Sequence, residues 1–252
     1  MTNRDAEAWP EERYAWYVVA VLHIAALLSY IDRLVLSLLI EPVREDLQIS
    51  DTQIALVTGT AFAVFYGFMV LPMGRWADSG NRARIIAIGI FAWSVLTAAC
   101  GLARNFWQLF LARMGVGIGE ASLAGSAYSL LSDYFPPLKL PVAMSVFVAA
   151  ALSGSGLALV IGGSVIQAVS AAEPLSLPWI GTLQPWQTTF IAVGLPGVLV
   201  SLLLMTIREP PRRGRQRADA LLGAKPHARQ RLPAVRGRAP GGARARAVLL
   251  AQ

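Results

Sequence analysis

Residues 18–40 read VVAVLHIAALLSYIDRLVLSLLI. The stretch is apolar for more than twenty residues, the length of helix needed to cross about 30 Å of hydrocarbon, yet Asp32 and Arg33 sit inside it. A full charge near the middle of a bilayer costs about 2.5–3.5 kcal/mol on insertion scales. Such residues persist where they face a bundle interior or a watery cavity and have a partner. Neighbouring residues on a helix point about 100° apart, so Asp32 and Arg33 cannot share one direction. One is expected to face a cavity and the other a neighbouring helix. The plainer alternative is a buried ion pair that only holds helices together.

Five further segments match the first in length and apolarity. With it they cover about residues 16–40, 53–75, 84–103, 106–131, 141–169 and 186–207. The whole chain, 252 residues, is 55% hydrophobic and 15% charged, where soluble domains carry about 25% charge. Clear punctuation separates the segments: IEPVREDLQISD at 40–51, GRWADSGNRAR at 74–84, ARN at 103–105, DYFPPLKLP at 133–141 and AAEPLSLPWIGTLQPWQ at 171–187. Ser50 or Asp51 is a fitting N-cap for the second helix. The 171–187 stretch reads as an interfacial loop. Trp16, Trp76, Trp107 and Trp186 fall at predicted helix ends, where an amphipathic ring favours the membrane interface. The apolar run of the first segment exceeds that of a secretory signal, and its flank is acidic as well as basic. It is expected to be a retained helix.

Net charge is +7, but it is unevenly placed. Residues 1–207 hold 10 basic and 13 acidic residues, whereas 208–252 hold 12 basic and 2 acidic. The basicity belongs to the tail, which removes any case for nucleic acid as a partner. Basic loops stay in the cytoplasm, and Arg75, Arg82, Arg84 and the arginine-rich C-terminal flank lie on one side, so both termini are predicted to be cytoplasmic. The expected home is an integral position in a bacterial inner membrane, with lipids as partners. From residue 213 the chain lacks Ser, Thr, Ile, Phe, Tyr, Trp and Met, and such a composition is expected to be disordered. It fits a basic tail lying on anionic lipid, and it also fits a GC-rich gene read in the wrong frame.

The fourth segment repeats the anomaly of the first. In ARMGVGIGEASLAGSAYSLL, Arg113 and Glu120 are seven residues apart, almost two turns, and share a face. A carboxyl group in low dielectric is suited to taking up and giving back protons; as structural glue it would instead stay hydrogen-bonded. Gly115 and Gly119 form a small-xxx-small surface for close helix approach. If the six helices are two inverted triplets, the first and fourth are equivalent, and sites in that plan lie near the midplane at the repeat interface. His23 is read as hydrogen-bonded packing, and Tyr30, Tyr66 and Tyr128 as cavity or interface residues. No metal cluster, phosphate loop or catalytic triad is legible, so neither cofactor nor metal is expected and an enzyme reading has no support. The single cysteine, Cys100, excludes a disulfide framework.

These motifs resemble the N-terminal half of a major facilitator superfamily transporter. GRWADSGNRAR is similar to the family's motif between helices two and three, with Gly74, Asp78 and Arg82 in register; Ser79, Asn81 and Ala83 depart from it. The resemblance implies a conformational gating role for Gly74, Asp78 and Arg82; a solvated basic turn that only sets topology is the alternative. RMGVGIGEA resembles the helix-four motif. SGSGLALVIGG resembles the glycine-rich motif of helix five through Gly154, Gly162 and Gly163, although Leu159 stands where antiporters have proline. The pairing of YIDRLVLS with GVGIGEA is most similar to the spinster branch, whose members include exporters of lysolipids and sphingoid lipids. By that resemblance Asp32, Arg33, Arg113 and Glu120 are substrate-contacting or proton-coupling residues.

The implied fold is all-α: a cytoplasmic segment 1–13, a six-helix transmembrane bundle 14–212 and a tail 213–252. Twelve helices would need about 240 residues, so the chain holds one half. The implied function is proton-coupled, alternating-access transport of an organic, lipid-like or amphiphilic solute. The alternatives are a truncated fragment that transports nothing, or a half-size carrier working as a homodimer. Either a second six-helix half or a second copy is the expected partner.

Overall fold

The computed structural model describes residues 9–171, 175–177 and 181–213. Residues 1–8 of the predicted N-terminal segment, and the predicted tail from residue 214, lie outside the described residues. Nine helices run α1 (Glu12–Leu38), α2 (Ile40–Leu47), α3 (Asp51–Ala55), α4 (Ala61–Ser79), α5 (Arg82–Cys100), α6 (Phe106–Glu120), α7 (Leu123–Tyr134), α8 (Leu140–Ala171) and α9 (Pro185–Met205) among the described residues. A π-helical turn, Leu56–Thr60, joins α3 to α4, so 51–79 makes one continuous crossing. Thr58 donates its hydroxyl to the carbonyls of Ile54 and Ala55 there, a side-chain bond of the kind that bends helices.

Five of these crossings are individually long and apolar enough to span a membrane. The predicted fourth span differs: it is split into α6 and α7. The Gly-rich run ends in a tight turn in which Ser122 turns both its amide and its hydroxyl back to the Gly119 carbonyl. The two pieces nevertheless lie in succession along α5. Leu96 stands beside Gly115, Trp93 beside Gly119, Gly89 beside Ser122, and Arg82 beside Asp133. The fourth crossing is therefore present with a turn in it, which brings the crossings among the described residues to six.

The segment 40–51, read as a plain connection, contains α2. Val43 is its buried residue, while Glu41 and Glu45 point outward. Gln48, at φ 51°, ends it in the left-handed conformation. Ser50 then caps α3 in a reciprocal capping box with Gln53, as the sequence predicts. The loop before α9 holds an antiparallel pair, β1 (Leu175–Leu177) and β2 (Gly181–Leu183), in the register Leu175 to Leu183. Trp186 departs from expectation. It is 2% exposed, and its indole N–H donates to Asp46 at 3.0 Å, fastening α9 to α2.

The packing follows an inverted-triplet plan. α1 packs chiefly on α8, α4 on α6, and α5 on α9. Exchanging the first three crossings with the last three maps the first pair onto the second and the third onto itself, the symmetry expected of inverted repeats.

The interior comprises two apolar clusters. One, around Leu22, Ile90, Val116, Leu130 and Leu204, fills the end that carries the α4–α5 turn. The other, around Leu36, Val43, Leu109, Trp186 and Phe190, fills the end that carries α2. Along α1 the first cluster stops at Ala26 and the second begins at Val35; along α5 they stop and resume at Trp93 and Cys100. Between them lies a polar layer.

Candidate functional site

That layer brings together all four charges singled out in the two anomalous helices. On α1, Asp32 turns into the bundle and is 3% exposed. The Thr97 hydroxyl of α5 donates to its Oδ1 at 2.8 Å, and Arg113 Nη1 of α6 lies 3.7 Å from its Oδ2. Arg33, one step round the helix, turns the other way. Its Nε and Nη2 both reach Oε2 of Glu120 at 2.7 Å, and the Ser29 hydroxyl donates to the same oxygen at 2.6 Å. The expected split between neighbours is therefore present, with Arg33 facing a cavity and Asp32 facing neighbouring helices. Arg113 and Glu120 do share a face, and each meets a residue of α1. Glu120 is not an isolated carboxylate, because its ion pair and the Ser29 bond hold it.

Burial gives these pairs their weight. Arg113 and Glu120 are each 1% exposed, whereas the Arg33 side chain keeps 31%. Three aromatic rings surround its guanidinium, Phe62 at 4.8 Å, Tyr66 at 5.0 Å and Tyr30 at 5.4 Å. Such cation–π contacts keep a cation in apolar surroundings without a second carboxylate. Removing one partner of a buried pair strands the other, which is far costlier than the pair is stabilising.

Arg33 and Glu120 open onto a cavity of about 210 Å³. Tyr30, Tyr66 and Tyr128 line it, with Phe147 on the α8 side. The wall is thus mixed: one neutralised ion pair, phenolic rings and apolar side chains. Asp32 and Arg113 do not line it. His23 sits elsewhere on α1 and bonds the Val146 carbonyl of α8 through Nδ1 at 2.8 Å, the packing role expected of it.

At the other predicted site, the α4–α5 turn, the three motif residues stand in different surroundings. Arg82 is 1% exposed and sits at a hub. Its Nη1 donates to Asp133 at 2.6 Å and to the Ser129 carbonyl at 2.7 Å, and its Nε donates to Glu209 at 2.6 Å. Asp78 is exposed, and its carboxylate forms no ion pair among the described residues. A side chain at Gly74 would meet nothing. Far from both sites, Arg44 of α2 bridges Asp51 at 2.8 Å and Glu41 at 3.0 Å, and the Asp51 hydrogen bond foremost holds its guanidinium above the usual range.

Of the predicted packing glycines, four lie against a neighbouring helix. A Cβ at Gly115 would stand 2.6 Å from Leu96, at Gly119 2.9 Å from Trp93, at Gly154 3.0 Å from Tyr30 and at Gly162 3.1 Å from Leu38. Gly163 differs, since a Cβ there meets nothing within 4 Å among the described residues. Sequence reasoning missed Ser29, Thr97, Asp133 and Glu209. Asp133 closing an apolar segment and Glu209 just past the last one were the available signals.

Comparison with known proteins agrees with this geometry. The family profile described as Major Facilitator Superfamily matches residues 22–249, a range that reaches into the basic tail. "MFS-type efflux pump" of Mycolicibacterium smegmatis is 30% identical over 195 residues, 77% of this chain and 42% of that protein. "Protein spinster homolog 1" of Homo sapiens is 31% identical over 197 residues, 77% of this chain and 35% of that one. Among solved structures, a bacterial homolog of the human lysosomal transporter Spinster, inward-facing and occupied, superposes with a TM-score of 0.72 at 35% identity. That match covers 80% of this chain and 46% of the other, so the chain spans at most about half the length of the relatives it matches. The comparisons point to transporters and not to an enzyme. With a polar layer between two apolar clusters, inverted triplets of crossings and a profile match over most of its length, this integral membrane chain belongs to the Major Facilitator Superfamily and is similar to the N-terminal six-helix half of its spinster-like members.

Proposed function

We infer that the chain is one half of a secondary active transporter that moves an organic, amphiphilic or lipid-like solute by alternating access, coupled to protons. The observation that carries this reading is the Arg33–Glu120 pair. It is buried at the Glu120 end, open to a cavity at the Arg33 end, and lined by rings that suit an apolar chain beside a polar head. Protonating Glu120 would release Arg33 toward the cavity, and an anionic head group engaging Arg33 would release Glu120. Either event couples charge at the cavity to the α1–α6 contact. Asp32, bonded by Thr97 and facing Arg113, forms the second such unit.

The half also needs a second wall. In their membrane-spanning windows only 17% of the 51–79 crossing and 22% of α8 are buried, against 56% of α1. Gly59 in the π-helical turn, Gly67 and Gly74 on α4, and Gly156 and Gly163 on α8 have open space where a side chain would stand. These faces suit a second six-helix half, or a second copy in a half-size carrier. The arginines at the α4–α5 end favour a cytoplasmic position for that end, and a bacterial inner membrane fits the spans.

The test is reconstitution in vesicles with an imposed pH gradient and a fluorescent lysophospholipid as probe, for this chain alone and joined to a second half. Flux that collapses in Asp32→Asn and Glu120→Gln supports the coupling; flux that still follows the gradient in the double variant sinks it. Concentrative uptake by the chain alone excludes a non-transporting fragment, and crosslinking that yields monomers only counts against the homodimer.

A further inference from the structure

Immediately after α9 the chain reads IREPPRR, residues 207–213, and this short strap touches the ends of four helices. Arg208 uses its amide to donate to the Tyr14 hydroxyl of α1 and its carbonyl to accept from Tyr134 of α7. Arg213 donates its amide to Asp133 at 2.9 Å. The two contacts that matter most are at the α4–α5 turn. Glu209 Oε2 accepts from the amides of Arg82 at 2.9 Å and Ala83 at 3.3 Å, the first two residues of α5. Asn81 caps the third amide of that helix, at Arg84. On the other side of the turn Arg212 donates to the carbonyls of Ala77 at 2.7 Å and Gly80 at 2.6 Å, and to that of Asp78.

Glu209 therefore supplies an anion to the N-terminus of α5, and Arg212 supplies a cation to the C-terminus of α4. Each answers both the orphan backbone groups and the dipole of its helix end. Between them stand Pro210 and Pro211. Proline fixes φ near −65°, and a proline-rich segment advances about 3.1 Å per residue, so the two charged residues are held roughly 9 Å apart. We propose that Glu209 and Arg212 are positioning residues for the α4–α5 turn, set at a fixed spacing by the intervening Pro-Pro so that the strap clamps both helix ends at once. The clamp holds Asp78 and Arg82 in one arrangement. This rests on reading that turn as a conformational gate.

The test uses the full chain in detergent or nanodiscs. A single cysteine introduced as Ala77→Cys, at a position 3% exposed whose carbonyl Arg212 holds, is labelled with a maleimide; native Cys100 is fully buried. Glu209→Gln and Arg212→Gln are each expected to speed labelling about tenfold, while a reference Leu138→Cys, in the exposed α7–α8 connection, keeps its rate. Arg212→Gln leaves the Arg82 hub intact, so it remains informative if Glu209→Gln folds poorly. Replacing both prolines by glycine keeps the charges and is expected to speed labelling several-fold. The swapped pair Glu209→Arg with Arg212→Glu is expected to stay fast, because helix ends do not exchange their polarity. A wild-type rate in Arg212→Gln, in the proline variant or in the swapped pair overturns the proposal. Labelling reports the strap alone and vesicle flux reports the gate, so the two readings fail separately.

Discussion

One oxygen of Glu120, Oε2, accepts from Arg33 twice and from Ser29 once, while its other oxygen, Oε1, is buried without a hydrogen-bond partner among the described residues. The carboxylate is thus anchored on one side only. α1 and α6 have little direct backbone contact, so the charged side chains are a main link between the two anomalous helices. The coupling between them is measurable without any knowledge of the solute.

Arg33→Ala and Glu120→Ala are each expected to destabilise the bundle, and the double variant to cost less than their sum. The Arg33 side chain is 31% exposed, so the interaction energy should fall within about 0.5–3 kcal/mol, the usual range for contacting residues. Thermal unfolding in detergent of the four species closes the cycle. Strict additivity would show that the contact carries no energy.

Asp32→Asn should be worse than Thr97→Val. The first strands Arg113, which is 1% exposed, and loss of a buried partner costs about 3–5 kcal/mol. The second removes one hydrogen bond from Asp32, worth about 1 kcal/mol. The two variants compared by unfolding midpoint decide the order; equal effects would mean that Arg113 does not depend on Asp32.

Gly89→Ala and Gly163→Ala separate packed from open glycines. A Cβ at Gly89 would stand 1.8 Å from the Ser122 hydroxyl and 2.8 Å from the Gly119 carbonyl oxygen. Overpacking of that kind costs about 1–3 kcal/mol, and here it presses on the turn between α6 and α7. At Gly163 nothing stands within 4 Å, so the substitution should leave the unfolding midpoint of the isolated chain unchanged. If a second half covers α8, the same Gly163→Ala change should become visible only in the joined protein.

Arg82→Lys should not be tolerated as a conservative change. A lysine keeps the charge but has no planar fork to reach Asp133 and Glu209 together, and both lie 2.6 Å from the present guanidinium. A loss of about 2–4 kcal/mol is expected from breaking a buried network. An unchanged midpoint would show that one carboxylate suffices.

The spans were legible because each needs only a run of apolar residues, a property written along the chain. α1, α5, α8 and α9 lie within a few residues of their predicted bounds. The charges were legible for the same reason inverted: Asp32, Arg33, Arg113 and Glu120 violate the run. What the run could not give is its interruptions. Short α2 reads as a connection because a short amphipathic helix lacks a long periodic signal, and the break at Ala121–Ser122 depends on Ser122 turning back to Gly119. Gly163 reads like Gly162 in sequence, yet only one of them faces a neighbour.

By itself, then, the sequence determined that this is a helical membrane bundle, where its crossings lie, and that two of them carry charge at mid-depth. It also determined the resemblance of family and branch, since those motifs are local. Only the tertiary structure decided the partners: that Asp32 goes with Thr97 and Arg113, that Arg33 goes with Glu120 and the cavity, and that Glu209 and Arg212 close on the two ends of one turn. The physical reason is range. Hydrophobic length and charge are properties of consecutive residues, whereas an ion pair joins side chains some ninety positions apart, as between Arg33 and Glu120, and its geometry exists only once the helices have packed.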